Sequence, residues 1–197
     1  MLAPPPGAYV VDCAAAPGGK ATHLAEMTDM RGRVVALDVN LQGLRSAREV
    51  ARRLRDRNLM FVNADIASNV PLREASTGFV LLDAPCTGIG TLRSHPEIRW
   101  RLKPGDFQRM AGIQLAMLRH AAALVRPGGV IVYAVCSFAP QEGPGVIRSF
   151  LSAHPEFAIE RPETRELHEL LQPDHTLATS ADRHGLDGFY AARMRRR

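Results

Sequence analysis

Short apolar runs alternate along the chain with longer stretches in which apolar residues recur every three or four positions. The first pattern predicts buried strands and the second amphipathic helices. After a proline-rich lead-in, Met1 to Gly7, a strand is expected from Ala8 to Cys13. A helix is expected from Lys20 to Met30, closed by the Arg31-Gly32 turn. Arg33 to Asp38 predicts a second strand. Leu41 to Arg57 predicts a helix with Leu44, Ala47, Ala51 and Leu54 on one face and Arg45, Arg48, Arg52 and Arg55 on the neighbouring stripe. Strands follow at Leu59 to Asn63 and Phe79 to Leu82, then a long helix from Asp106 to Val125. Pro127-Gly128-Gly129 is expected to turn into the strand Val130 to Val135. Pro140 to Ala153 predicts a helix, Asp187 to Met194 a last strand, and Arg195 to Arg197 a basic tail. Glu160 to Asp182 is polar and carries no clear period.

Strands alternating with helices argue a mostly parallel α/β sheet. Polar or reactive residues recur where strands end: Asp12, Asp38, Asp65, Asp83 and Cys136. In open α/β sheets ligands bind beyond the carboxyl ends of the strands, so one edge could collect all five.

The densest stretch joins the first strand to the first helix: Ala14-Ala15-Ala16-Pro17-Gly18-Gly19-Lys20. Small side chains let a ligand approach the backbone. The helix N-terminus that follows presents free N–H groups and partial positive charge, which favours a carboxylate or another electron-rich group. The turn lacks both the GxxxxGK[ST] spacing of a phosphate loop and the GxGxxG dinucleotide fingerprint.

The length of 197 residues suits one domain with a sizeable core, and 46% hydrophobic residues exclude a disordered chain. The formal net charge of +5 is compatible with a nucleic-acid partner. Lys20 and Lys103 are the only lysines, so the remaining fixed cations are arginines, which suit phosphates and base edges. The arginine stripe of the Leu41 to Arg57 helix reads first as a solvated face and second as an RNA surface. Cys13, Cys86 and Cys136 make no disulfide framework, and no CxxC pair suggests zinc. No signal peptide or membrane-length apolar run is present, so the expected location is cytoplasmic.

Asp38 stands about twenty residues past the glycine turn, where nucleotide-binding folds place the acid that accepts from ribose hydroxyls. The competing reading is an N-cap for the helix that begins at Leu41. Asp65 is a candidate acceptor for an adenine amino group or a plain turn aspartate. In Asp83-Ala84-Pro85-Cys86 a strand-end acid precedes a cysteine in a glycine-rich loop, and Val135-Cys136-Ser137 ends another strand. Two cysteines at one edge favour chemistry over burial, whereas Cys13, inside the first strand, reads as core.

These stretches together resemble the RNA cytosine-5 methyltransferases that use S-adenosylmethionine. The glycine turn resembles the family's cofactor motif, Asp83-Ala84-Pro85-Cys86 its proline–cysteine motif, and Val135-Cys136-Ser137 its Thr-Cys-Ser nucleophile motif. Asp187-Gly188-Phe189-Tyr190-Ala191 is similar to the family's closing strand. Arg93-Ser94-His95-Pro96-Glu97-Ile98-Arg99-Trp100 is similar to the bacterial branch that modifies small-subunit ribosomal RNA. The resemblance implies a Rossmann-like methyltransferase fold with helices on both faces of the sheet. It also implies cofactor contacts from Ala14, Ala15, Ala16, Pro17, Gly18, Gly19, Lys20, Asp38, Asp65 and Asp83.

Carbon 5 of cytosine is a weak nucleophile until a thiolate adds to carbon 6 and makes the ring enamine-like. The resemblance implies Cys136 as that thiolate, Asp83 as the group that binds the base edge, and Cys86 as the group that assists release. Spacing alone leaves the two cysteine roles open, because DNA cytosine-5 methyltransferases use the Pro-Cys cysteine as nucleophile. The target base must be unpaired or flipped. Arg93, Arg99, Arg101 and Lys103, with Trp100 among them, could hold phosphates and stack a base, while Trp100 reads equally as core.

The family usually has arginine at Gly43, threonine at Val135 and a second glutamate at Gln141, beside Glu142. Residues 1–197 are read as a single catalytic domain. Only nine residues precede Val10, where family members carry substantial RNA-binding sequence. A separate N-terminal RNA-binding partner, or a longer parent chain, is therefore expected, with exposed apolar surface where that segment packs. Two other readings are a methyltransferase acting on transfer RNA or DNA, and an inactive RNA- or cofactor-binding module.

Overall fold

In the computed structural model, residues 1–197 are described except Met30 and Asn69. Strand β1 (Tyr9–Asp12) buries its β-branched pair Val10 and Val11 between two parallel neighbours, β2 (Arg33–Asp38) and β4 (Thr77–Asp83). β3 (Leu59–Asn63) continues the parallel ladder beyond β2, and β5 (Val125–Val135) continues it beyond β4. β8 (Phe189–Arg196) pairs antiparallel with β5. Its other edge is shared by β6 (Phe157–Ile159) and β7 (Leu177–Thr179), both antiparallel. The order is β3-β2-β1-β4-β5-β8-β6 among the described residues, so the chain reverses its direction of travel across the sheet between β1 and β4.

Alternation along the strands sorts side chains to two faces. Val10, Val34, Leu81, Val130 and Val132 pack under Leu24 and Ala25 of α1 (Gly19–Met27), with Leu2 of the lead-in. α2 (Leu41–Leu54) lies beside α1 and buries Leu44, Ala47 and Ala51. On the opposite face Val11, Val35, Val80, Leu82, Ile131 and Tyr133 join a core with Leu118 and Ala121 of α4 (Pro104–Ala123) and Phe150 of α5 (Pro144–Ala153). Two short helices, α3 (Ile98–Arg101) and α6 (Ala181–His184), sit in the loops at the carboxyl edge. The expected mostly parallel sheet with helices on both faces is the observed architecture.

Several boundaries differ for local reasons. The Thr28 hydroxyl donates to the carbonyls of Leu24 (2.9 Å) and Ala25 (3.2 Å), and α1 stops at Met27. The expected end at Met30 lies outside the described residues. α2 stops at Leu54 because Arg55 turns left-handed at φ 63°, which leaves Leu54 exposed rather than on the packed face. Pro127-Gly128-Gly129 is not a turn before β5 but a bulge within it: the register moves from Thr77↔Val125 to Phe79↔Val130. α4 begins earlier than expected, with Pro104 in its first turn and the Lys103 amide donating to Asp106 Oδ2 at 2.9 Å.

α5 begins at Pro144 rather than Pro140. Pro144 has no N–H to offer the Pro140 carbonyl, which accepts from the Gly145 amide instead (2.8 Å). The basic tail is not free, because β8 runs on to Arg196. Glu160 Oε1 lies 2.6 Å from Arg195 Nε, Glu160 Oε2 lies 2.8 Å from Arg193 Nε, and Arg196 donates to the Val125 carbonyl. The polar stretch without period contains a 3₁₀ turn at Arg165–Leu170 and strand β7. Among the described residues, no helix is long and apolar enough to cross a membrane.

Candidate active site

The parallel strands end along one edge, and the strand-end residues meet there. Asp12, Asp38 and Asp83 close β1, β2 and β4, and Cys136 follows β5 directly. A cavity of about 240 Å³ opens at the reversal between β1 and β4. Ala14, Ala16, Asp38, Asp65 and Asp83 line it with apolar walls from Val39, Ile66, Pro85 and Met117. Carboxylates spaced around an apolar slot suit a ligand with a flat ring, hydroxyls and a cationic end. S-adenosylmethionine has those groups, so the residues present fit it.

The glycine turn divides its labour. Ala14 and Ala16 face the cavity, while Ala15 is buried and its amide donates to the Leu37 carbonyl (3.0 Å). Gly18 stands at φ 112°, and a Cβ there would lie 2.6 Å from Ala47 Cβ, so Gly18 lets α1 approach α2. Pro17 and Gly19 are exposed, outside the cavity lining. Gly43 packs against Ala16 in the same way: a Cβ would come within 2.6 Å of Ala16 Cβ. Lys20 leaves the first turn of α1 and sets its Nζ 2.6 Å from Asp83 Oδ2. Burial pulls the Lys20 ammonium down, but the bond and charge of Asp83 outweigh it and hold the group above its ordinary range.

Asp38 accepts from the amides of Ala16 (2.9 Å) and Asn40 (2.8 Å), tying the turn to the end of β2. It is not the cap of α2, because Asn40 Oδ1 accepts from Gly43 N at 3.0 Å. Asp65 combines both expectations: it accepts from the Ala67 amide at 2.8 Å as a turn aspartate and also lines the cavity. Asp12 is fully buried, and its Oδ2 has no hydrogen-bond partner among the described residues. Burial first, and then the Asp83 and Asp38 charges, push its carboxyl up to about 7, against the pull of the Ala14 amide and Lys20. Cys13 is buried, as expected of a core residue.

The two loop cysteines converge, with Cys86 Sγ 2.8 Å from Cys136 Sγ. The bond from Cys86 favours the Cys136 thiolate and lowers that group, against burial and the Asp83 charge. The same bond, with burial and the Cys136 charge, drives Cys86 far above an ordinary thiol. The contact therefore favours thiolate character at Cys136 over Cys86. Backbone bonds pin the surrounding loops: Gly90 N donates to the Cys136 carbonyl (3.1 Å), and Gly188 N donates to the Gly90 carbonyl (2.7 Å). A Cβ on Gly90 would run into the Gly188 carbonyl.

Beyond the cysteines lies a larger cavity, about 680 Å³, between Ile89–Arg93, Phe138 and Ala178–Gly188. Phe138 is exposed on its wall. Trp100 is 83% exposed on α3 with Arg99 stacked over its ring, so the core reading of Trp100 is overturned. Other exposed large apolar side chains include Val39, which lines the strand-end cavity, and Leu41 at the start of α2. Sequence reasoning missed the role of Glu142. It is fully buried behind both cysteine loops, and its sequence signals were its place six residues after Cys136 and its match to one of the glutamate pair of the family it resembles.

A sheet reversed between β1 and β4, with an acid-lined slot at that point, defines the Rossmann-like S-adenosylmethionine-dependent methyltransferase class. Residues 1–195 match the profile of the 16S rRNA methyltransferase RsmB/F family, and the chain belongs to that family. It is 41% identical, over 100% of its length and 47% of the relative's, to ribosomal RNA small subunit methyltransferase B of Thermus thermophilus. Among solved structures, PH0851 superposes with a TM-score of 0.91 at 36% identity, over 99% of this chain and 44% of that one. NSun6 from Pyrococcus horikoshii, solved with SFG, gives 0.86 at 26% identity over 99% of this chain and 49% of that one. The chain spans about half the length of the curated relatives it matches.

Proposed function

We propose that the protein transfers a methyl group from S-adenosylmethionine to carbon 5 of a cytosine in RNA, in particular small-subunit ribosomal RNA. The observation that carries this reading is the 2.8 Å approach of the Cys86 and Cys136 sulfurs, with Asp83, which lines the strand-end cavity, close enough for its charge to act on Cys136. When bound, S-adenosylmethionine supplies an electrophilic methyl group. Asp38 and Asp65 offer carboxylates to its hydroxyl and amino groups, and Ala14 and Ala16 let it lie against the backbone.

The Cys136 thiolate adds to carbon 6 of an unpaired or flipped cytosine, forming a carbon–sulfur bond. Asp83, held by Lys20, binds the base edge where charge develops, and carbon 5 then takes up the methyl group. The carbon 5 proton next leaves to a base. The electron pair of that C–H bond reforms the ring double bond, and the Cys136–carbon 6 bond breaks to return the thiolate. Cys86, already bonded to the same sulfur, assists that release. Arg93, Arg99, Arg101 and Lys103 face the RNA with Trp100, and a separate N-terminal RNA-binding partner or segment adds grip. A ribosomal RNA substrate makes the site of action cytoplasmic.

The test uses radiolabelled S-adenosylmethionine and unmodified small-subunit ribosomal RNA with the wild type, Cys136→Ala and Cys86→Ala. Label from the wild type, none from Cys136→Ala, and a protein–RNA adduct trapped by Cys86→Ala is the expected pattern. An adduct trapped by Cys136→Ala instead would exchange the two cysteine roles. Label in transfer RNA or DNA but not ribosomal RNA would move the substrate. Cofactor binding without label in any nucleic acid would favour a binding module.

A further inference from the structure

We infer that Glu142 is a positioning residue for the methyl-transfer reaction, its carboxylate fixing the Cys86 loop against the Cys136 loop. The inference rests on the methyltransferase reading, but part of its test does not. Glu142 lies six residues past Cys136 and is fully buried. Its Oε1 accepts from the Thr87 amide (2.8 Å) and Gln114 Nε2 (3.1 Å). Its Oε2 accepts from the hydroxyls of Thr87 and Ser137, both at 2.6 Å. Thr87 adjoins Cys86 and Ser137 adjoins Cys136, so one side chain holds both neighbours.

The supports are themselves held. Gln114 Nε2 also donates to the Pro85 carbonyl (2.9 Å), bracketing Cys86 from its other side. The Tyr133 hydroxyl donates to the Glu142 carbonyl (2.6 Å), anchoring the turn to β5. Backbone bonds link the two loops at Ala84 N to the Ala134 carbonyl and at Gly90 N to the Cys136 carbonyl. Between those rungs the loops are joined by the Cys86–Cys136 sulfur contact and by the Glu142 carboxylate.

Burying a carboxylate carries a large desolvation cost, and a site that needed packing alone would be served by an apolar side chain. The four donors offset that cost and convert it into a defined separation of two reactive loops. The charged and titratable groups around the sulfurs are Asp83, Lys20, Tyr133 and Glu142 itself. Glu142 disfavours thiolate at both cysteines, so its contribution to reactivity is geometric rather than activating.

The test compares Glu142→Ala and Glu142→Gln with two milder variants, Thr87→Val and Ser137→Ala, which each remove one tether. Single-turnover label transfer should fall about 100-fold in Glu142→Ala, the cost of misplacing a reacting group by about 1 Å. Glu142→Gln spans the same gap and should recover part of the rate, and the milder variants should lose about tenfold each. Cofactor affinity should stay within about twofold throughout, because Glu142 lies outside the cofactor cavity. A second readout needs no RNA: iodoacetamide should modify Cys136 in strong preference to Cys86 in the wild type, and Glu142→Ala should erode that preference. Wild-type rates in the milder variants, or an unchanged alkylation preference in Glu142→Ala, would overturn the inference. So would a parallel loss of rate, cofactor affinity and melting temperature in all four variants. A wild type that labels no nucleic acid would remove the methyltransferase reading, while the alkylation preference would still decide the positioning.

Discussion

Lys20 Nζ sits 2.6 Å from Asp83 Oδ2, joining the first turn of α1 to the end of β4, where Asp83 lines the strand-end cavity. The pair is half open to solvent, so its value lies in orientation rather than in fold stability. Lys20→Met should leave the melting temperature near wild type and slow single-turnover methyl transfer about tenfold, by freeing the Asp83 carboxylate. Asp83→Ala should cost about 100-fold or more, because it removes the group offered to the base. Equal rates for Lys20→Met and wild type would show that Asp83 needs no partner.

The Cys86–Cys136 bond makes a prediction in pH. Cys136 is held below an ordinary thiol chiefly by the bond from Cys86. Its alkylation by iodoacetamide should therefore begin at a lower pH than that of an unstructured cysteine. Cys86→Ala removes the donor, and the Cys136 profile should move to higher pH; Cys86→Ser, which keeps a hydroxyl donor, should move it less. A profile unchanged by Cys86→Ala would mean that the two sulfurs do not share a proton in solution.

Asp12 predicts a pH dependence of stability with the opposite sign to that of a salt-bridged acid. Its folded carboxyl is raised from 3.8 to about 7, so the folded state holds a proton that the unfolded chain has released. Stability should fall as pH rises from about 4 to about 7 and then level off, by on the order of 4 kcal/mol if Asp12 acts alone. Asp12→Asn keeps the shape and abolishes the titration. Denaturant unfolding of the two proteins across that range should give a flatter curve for the variant. Parallel curves would show that Asp12 is not the titrating group.

The fold was legible because its signals are local. Val10-Val11 and Val34-Val35 announce buried parallel strands, and the chain from Ala14 to Lys20 announces the turn at their carboxyl edge. What the sequence hid depends on partners distant in the chain. β7 is three residues long and exists by pairing with β8, so no periodicity marks it. Arg195 looks like part of a basic tail until Glu160, across the β6–β8 pair, is seen between it and Arg193. Gly18 sits in the cofactor-like turn, but its close approach to Ala47 of α2 is invisible in the sequence. Glu142 was visible as an acid, but its purpose needs Thr87, Gln114 and Ser137, which only the folded chain brings together.

Trp100 separates binding from folding most cleanly. It is 83% exposed, carries Arg99 over its ring at 5.2 Å, and sits on α3 between the Cys86 loop and α4. Little apolar surface is buried there, so Trp100→Ala should change the melting temperature by less than the resolution of a thermal scan. If the ring stacks on an RNA base, the loss of stacking is worth about 1–3 kcal/mol, or roughly a 5- to 150-fold rise in KM for RNA with little change in kcat. Trp100→Phe keeps an aromatic face and should recover most of that affinity. Arg101→Ala should instead weaken binding modestly and lessen its dependence on salt, as expected for a phosphate contact. A Trp100→Ala enzyme with wild-type KM would place the RNA elsewhere, with the Phe138 wall of the larger cavity the next surface to substitute.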